Sequence, residues 1–210
     1  MAFVQELSKN AVTLCRVPAL RVEYTVWSDA EADFKIVEAS QLATVLLVRR
    51  SEPVGNDSIR HVTSIWILSE DGRVRMQQDL TEDETIPYTC WGTFQKVTIR
   101  AKSVLKFHDV VHGRQPLETA ETSWVNYLFN LTKDSEAFQS ALMGKTLLLS
   151  VKTNKTMRIH DGFAGNFAFQ EQMCALENLR VWHDADSNGV YCMLHYTPQF
   201  RYGYMVFYRE

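Results

Sequence analysis

Three of the six histidines stand directly before an aspartate, at His108-Asp109, His160-Asp161 and His183-Asp184. A carboxylate beside an imidazole can orient the ring and favour its charged form, which is the arrangement acid–base relays use. On a strand, however, neighbours in sequence point to opposite faces, so the dipeptide alone cannot bring both groups to one substrate. His160, Asp161, His183 and His195 are therefore the acid–base candidates of an enzymatic reading only if the fold gathers them at the mouth of a cavity. His108 and His112 have the four-residue spacing of two metal ligands on one helix face. The intervening Val110 and Val111 and the following Gly113 do not make such a helix, and no His-Glu-x-x-His pattern supplies a base.

Asp184-Ala-Asp-Ser-Asn-Gly189 reproduces the start of an EF-hand calcium loop, with oxygen donors Asp184, Asp186 and Asn188 at its first, third and fifth places. The match then fails. Cys192 and His195 occupy the ninth and twelfth places, and the twelfth requires a bidentate glutamate. A polar hairpin turn is the expectation there, and neither a metal nor another cofactor is expected. The chain has no G-x-S-x-G elbow, no G-x-G-x-x-G fingerprint and no complete phosphate loop; Gly144-Lys145-Thr146 resembles only the tail of one. Cys192 and His195 have opposite parity on a strand and would face apart.

The last segment differs from the rest in its aromatic content. Phe200, Tyr202, Tyr204, Val206 and Tyr208 share one parity, and Arg201, Gly203, Met205, Phe207 and Arg209 share the other. Tyrosine joins a large contact area to a polar tip, so Tyr202, Tyr204 and Tyr208, with Arg201 and Arg209, are the candidate binding residues. A central sheet strand would show the same pattern.

These residues must be positioned by strands. Leu20, Val22, Tyr24 and Val26 alternate with polar neighbours, the period-2 signature of a half-buried strand. Asp33–Glu38, the doubly apolar Ala43–Val48, and Phe94–Ile99 read the same way. His61–Leu68 and Arg73–Gln77 flank Asp71-Gly72, which predicts a hairpin with Val74 and Met76 inward and Arg73, Arg75 and Gln77 in water. Further strands are expected at Thr146–Val151, Thr156–Ile159, Leu176–Trp182, Val190–Tyr196 and Phe200–Arg209. Phe3, Val4 and Leu7 suit a short opening helix. Trp124, Tyr127, Leu128 and Leu131 have helical spacing, and Ser135–Met143 predicts a helix with Asp134 as N-cap and Gly144 as stop.

Short turns between strands allow only antiparallel pairing. The expected fold is thus predominantly antiparallel β, a β-rich α+β protein with two or three short helices, arranged as a sandwich or barrel or as two small β modules. The punctuation by Gly113 and Pro116 suggests a β-rich module over 1–112 and a helix-then-β module over 113–210; one domain over 1–210 is equally allowed. With 210 residues, 46% apolar and 22% charged, the chain has the composition of a folded domain. A net charge of −3 offers no basic field for nucleic acid, so none is expected as a partner. The opening residues lack the basic-then-apolar pattern of an export signal, and no apolar run is long enough to span a membrane, so a cytoplasmic or other intracellular protein without membrane contact is expected. The four cysteines are far apart in sequence, with no CxxC pair, and free thiols suit that setting. The functional expectation is a non-enzymatic protein-interaction or scaffold protein, using a β-sheet surface and loops to bind another protein. The alternative is a small-molecule-binding β protein or hydrolase-type enzyme with an aromatic-lined cavity and a histidine acid/base.

Overall fold

Alternating apolar residues on long strands must bury one face, and the nine-stranded sheet of this chain does so by curling around its own core. A computed structural model describes residues 11–54, 58–80, 87–89, 94–100, 102–108, 116–153, 156–161, 168–174, 177–196 and 203–209; within these, only the backbone is described for 88, 156–177, 195–196 and 203–209. The chain divides into two compact units, residues 1–88 with 95–143 and residues 89–94 with 144–210.

The first unit begins with β1 (Ala11–Ser28), β2 (Asp33–Val54), β3 (Ser58–Ser69) and β4 (Arg75–Leu80), an antiparallel meander. It continues through β5 (Pro87–Thr89), β6 (Lys96–Ile99), β7 (Ser103–His108), β8 (Pro116–Thr122) and β9 (Val125–Phe129). The sheet order is β5-β6-β9-β1-β2-β3-β4-β7-β8. Register shifts in the β1–β2 pairing, with Leu14 the extra residue on β1 and Ala39 the extra residue on β2, bend the long hairpin and sharpen its twist.

The inward residues, among them Val17, Val22, Val45, Leu47, Ile65, Ile67, Met76, Ile99, Leu105 and Tyr127, form one buried cluster. The Tyr127 hydroxyl donates to Gln78 Oε1 at 2.5 Å, joining β9 to β4 across the interior although three strands separate them in the sheet. The result is sandwich-like and not a closed barrel. The helix α1 (Thr132–Met143) covers its open end, with Phe138 buried 5.2 Å from Tyr127 and 5.3 Å from Phe129, centroid to centroid. Gly144, at φ 62°, ends the helix in the left-handed conformation that glycine adopts without strain.

The predicted hairpin at Asp71-Gly72 forms. Ser69 donates its hydroxyl to Asp71 and its backbone N–H to the Val74 carbonyl, and Gly72 takes φ 72°. Two expectations are corrected. Residues 125–129 are strand, not helix, because Val125, Tyr127 and Phe129 all face the core with period 2. Gln77 is buried instead of wet, since Trp66 and His108 stand on the same face. The expected opening helix lies outside the described residues, among which α1 is the only helix. Residues 116–143, which follow the sequence boundary at 112/113, complete the core of the first unit.

The second unit holds β10 (Thr146–Thr153), β11 (Thr156–Asp161), β12 (Ala168–Cys174), β13 (Glu177–Asp184), β14 (Gly189–Tyr196) and β15 (Gly203–Arg209). Four of these form a sheet in the order β10-β13-β14-β15, and β11 pairs with β12. Trp182, Arg180, Asn178, Met193 and Leu194 are buried there.

Candidate functional site

The turn that joins β1 to β2 carries both aromatic walls of a groove. Trp27 and Phe34 are cross-strand partners at the end of the hairpin, so their side chains emerge side by side. Their rings meet edge to face, 5.1 Å between centroids at 75°, yet 52% of Trp27 and 50% of Phe34 remain exposed. The Trp27 indole N–H donates to Asp29 Oδ1 at 2.9 Å, which fixes the ring against the turn. Opposite them, β7 and β8 supply Ser103, Val104, Lys106, Glu121 and Thr122, and Asp79 comes from β4. The volume of this open groove is about 600 Å³.

The groove floor is ordered by polar contacts. Lys106 Nζ lies 2.6 Å from Asp79 Oδ2, and Asp79 Oδ1 accepts from Gln77 Nε2 at 2.5 Å. The Thr122 hydroxyl lies 3.2 Å from that of Thr25 and donates to the Trp124 carbonyl at 2.9 Å, tying the end of β8 to β1. On the face shared by Lys106, His108 stacks on Trp66 at 5.0 Å and bonds Gln77 Oε1 through Nε2 at 3.0 Å. Burial, then the nearby Arg75 and Lys106 charges, lower the His108 pKa below its ordinary value, with Asp79 opposing them. Chemically, the groove offers a large apolar contact area and a few charges.

The sequence candidates fall elsewhere. His160 and Asp161 lie on β11, in register with Phe169 and Ala168. His183 pairs in register with Val190, whereas His195 lies five residues further along β14, so the structure does not bring these two together. The His183 ring instead meets Asn188 Oδ1 at 3.1 Å. Asp184 is engaged by Lys145 Nζ at 2.5 Å and by the Asp186 backbone N–H at 3.0 Å. The Lys145 contact is the main cause holding its pKa down at about 2. A cation at this turn would have to displace those donors. No three His, Cys, Asp or Glu side chains group to hold a metal among the described residues. Tyr204, Tyr208 and Arg209 lie on β15, the edge strand of its sheet, and Arg201 and Tyr202 lie outside the described residues.

Sequence reasoning missed the Trp27–Phe34 pair. One available signal was a tryptophan and a phenylalanine flanking the polar Ser28–Asp33 turn, where a core has nothing to gain from either. Comparison with protein-family models, with curated proteins and with solved structures returned no significant match. No described helix is long and apolar enough to cross a membrane.

Proposed function

We propose that this chain is a non-enzymatic protein-interaction module whose first unit receives a segment of another protein in the Trp27–Phe34 groove. The observation that carries this reading is the half-exposed aromatic pair. Two large rings held rigidly by their hairpin lose little entropy when covered, and aromatic anchors of this kind dominate binding energy at protein interfaces. A groove open along a sheet surface also suits an extended chain.

A photo-crosslinking amino acid at position 34 tests the reading in the organism's own extract. A discrete protein adduct is expected from position 34, absent when Trp27→Ala is added and absent when the same group replaces exposed Glu70. Adducts equally abundant from both positions would overturn it. The small-molecule alternative draws on the groove volume, which falls within the usual range for ligand sites. Native mass spectrometry of the purified chain would favour that alternative by showing a bound small molecule that Trp27→Ala releases.

A further inference from the structure

The groove carries two charges that its own residues do not answer. Lys106 and Asp79 neutralise each other, but Lys102 and Glu121 are both exposed and neither forms an ion pair among the described residues. Val104, 45% exposed, lies directly across from Glu121 in the β7–β8 register and two residues after Lys102. With a strand period of two, Lys102, Val104 and Glu121 therefore emerge on one face, where they line the groove together with Trp27 and Phe34.

We propose that the groove recognises an extended polypeptide segment bearing a large apolar or aromatic side chain between an acidic and a basic residue. The apolar side chain seats among Trp27, Phe34 and Val104, the acidic residue meets Lys102, and the basic residue meets Glu121. This rests on the interaction reading above and adds the chemistry of the partner. An extended chain places alternate side chains on one face about 6.6 Å apart, the spacing expected between Lys102 and Val104, while Glu121 lies beside Val104 on the neighbouring strand, within reach of a long basic side chain. Exposed charge pairs add little affinity, but juxtaposed like charges are penalised, so the two rim charges act chiefly to reject the wrong partner.

Three fluorescein-labelled nonapeptides test this by fluorescence anisotropy on the full chain. Each has a central tryptophan, with aspartate and lysine, two aspartates, or two lysines at the positions two before and two after it. The mixed peptide is expected to bind about three- to tenfold more tightly than either other. Lys102→Glu should move the preference to the doubly basic peptide, and Glu121→Lys to the doubly acidic one; the double exchange should restore the mixed peptide. Because these rankings do not depend on which way the peptide lies, either binding direction gives the same answer. Equal binding of all three peptides, or an unchanged ranking in the variants, overturns the charge reading while leaving the interaction module standing. Absence of binding, or binding that Trp27→Ala does not weaken, overturns the apolar seat itself.

Discussion

Leu42 shows how a single residue shapes this sheet. It interrupts β2 between Gln41 and Ala43, has no register partner on β1, and adopts φ 47° with half its side chain exposed. Its carbonyl accepts from the Glu70 backbone N–H at 2.8 Å, so the kink is anchored across to the β3 turn. A left-handed conformation costs a non-glycine residue about 1–2 kcal/mol. Glycine would remove that cost while losing about 0.5–1 kcal/mol through chain entropy. Leu42→Gly is therefore expected to leave stability unchanged or slightly raised in urea denaturation, where glycine in a regular strand interior would lower it. A loss above about 2 kcal/mol would show that the exposed leucine side chain is needed for packing.

At the level of elements, two contacts between strands and turns make stability depend on pH in separate windows. His108 at the end of β7 has a lowered pKa in the folded chain, so the unfolded chain takes up the proton first as pH falls through about 6.5. Stability should decline from there downward and level off once the folded His108 also titrates. His108→Gln, which can still hydrogen-bond Gln77, should flatten this part of a pH series of denaturation midpoints; an unchanged slope would dismiss His108 as its source. Asp184 acts in the same direction but in a more acid window. Its folded pKa of about 2 lies below the ordinary 3.8, so its contribution is complete above that ordinary value and is lost as pH falls through about 2. Lys145→Met should remove much of this acid dependence, read from the β13–β14 amides by hydrogen exchange. The strands themselves were largely readable beforehand, because their β-branched and aromatic segments are bounded by turn residues such as Asp71-Gly72. Residues 123–131 misled because Trp124, Tyr127, Leu128 and Leu131 meet a helical template while Val125, Tyr127 and Phe129 meet a strand template. Local spacing could not rank the two; pairing with β1 and β6 did.

For the whole molecule, the groove was hidden from sequence reasoning by the same curling that builds it. Trp27, Phe34, Asp79, Val104 and Glu121 belong to five strands, and no local motif links them. The two-unit division was equally hard to read, because residues 89–94 leave the first unit between β4 and β6 and join the second. Asn178 makes that insertion concrete by donating to the Thr89 carbonyl at 3.1 Å from its buried position on β13. Each unit nevertheless has its own buried residues: the main cluster, with Phe138 at its helix-covered end, draws only on the first unit. Phe138→Ala should therefore cost about 3–5 kcal/mol, the usual penalty for emptying a fully buried phenylalanine site. If the cores are energetically separate, hydrogen exchange monitored by mass spectrometry should accelerate in β1, β9 and α1 while Trp182 and its β13–β14 neighbours keep their protection. Equal acceleration in both units would instead mean that the chain unfolds as one cooperative body.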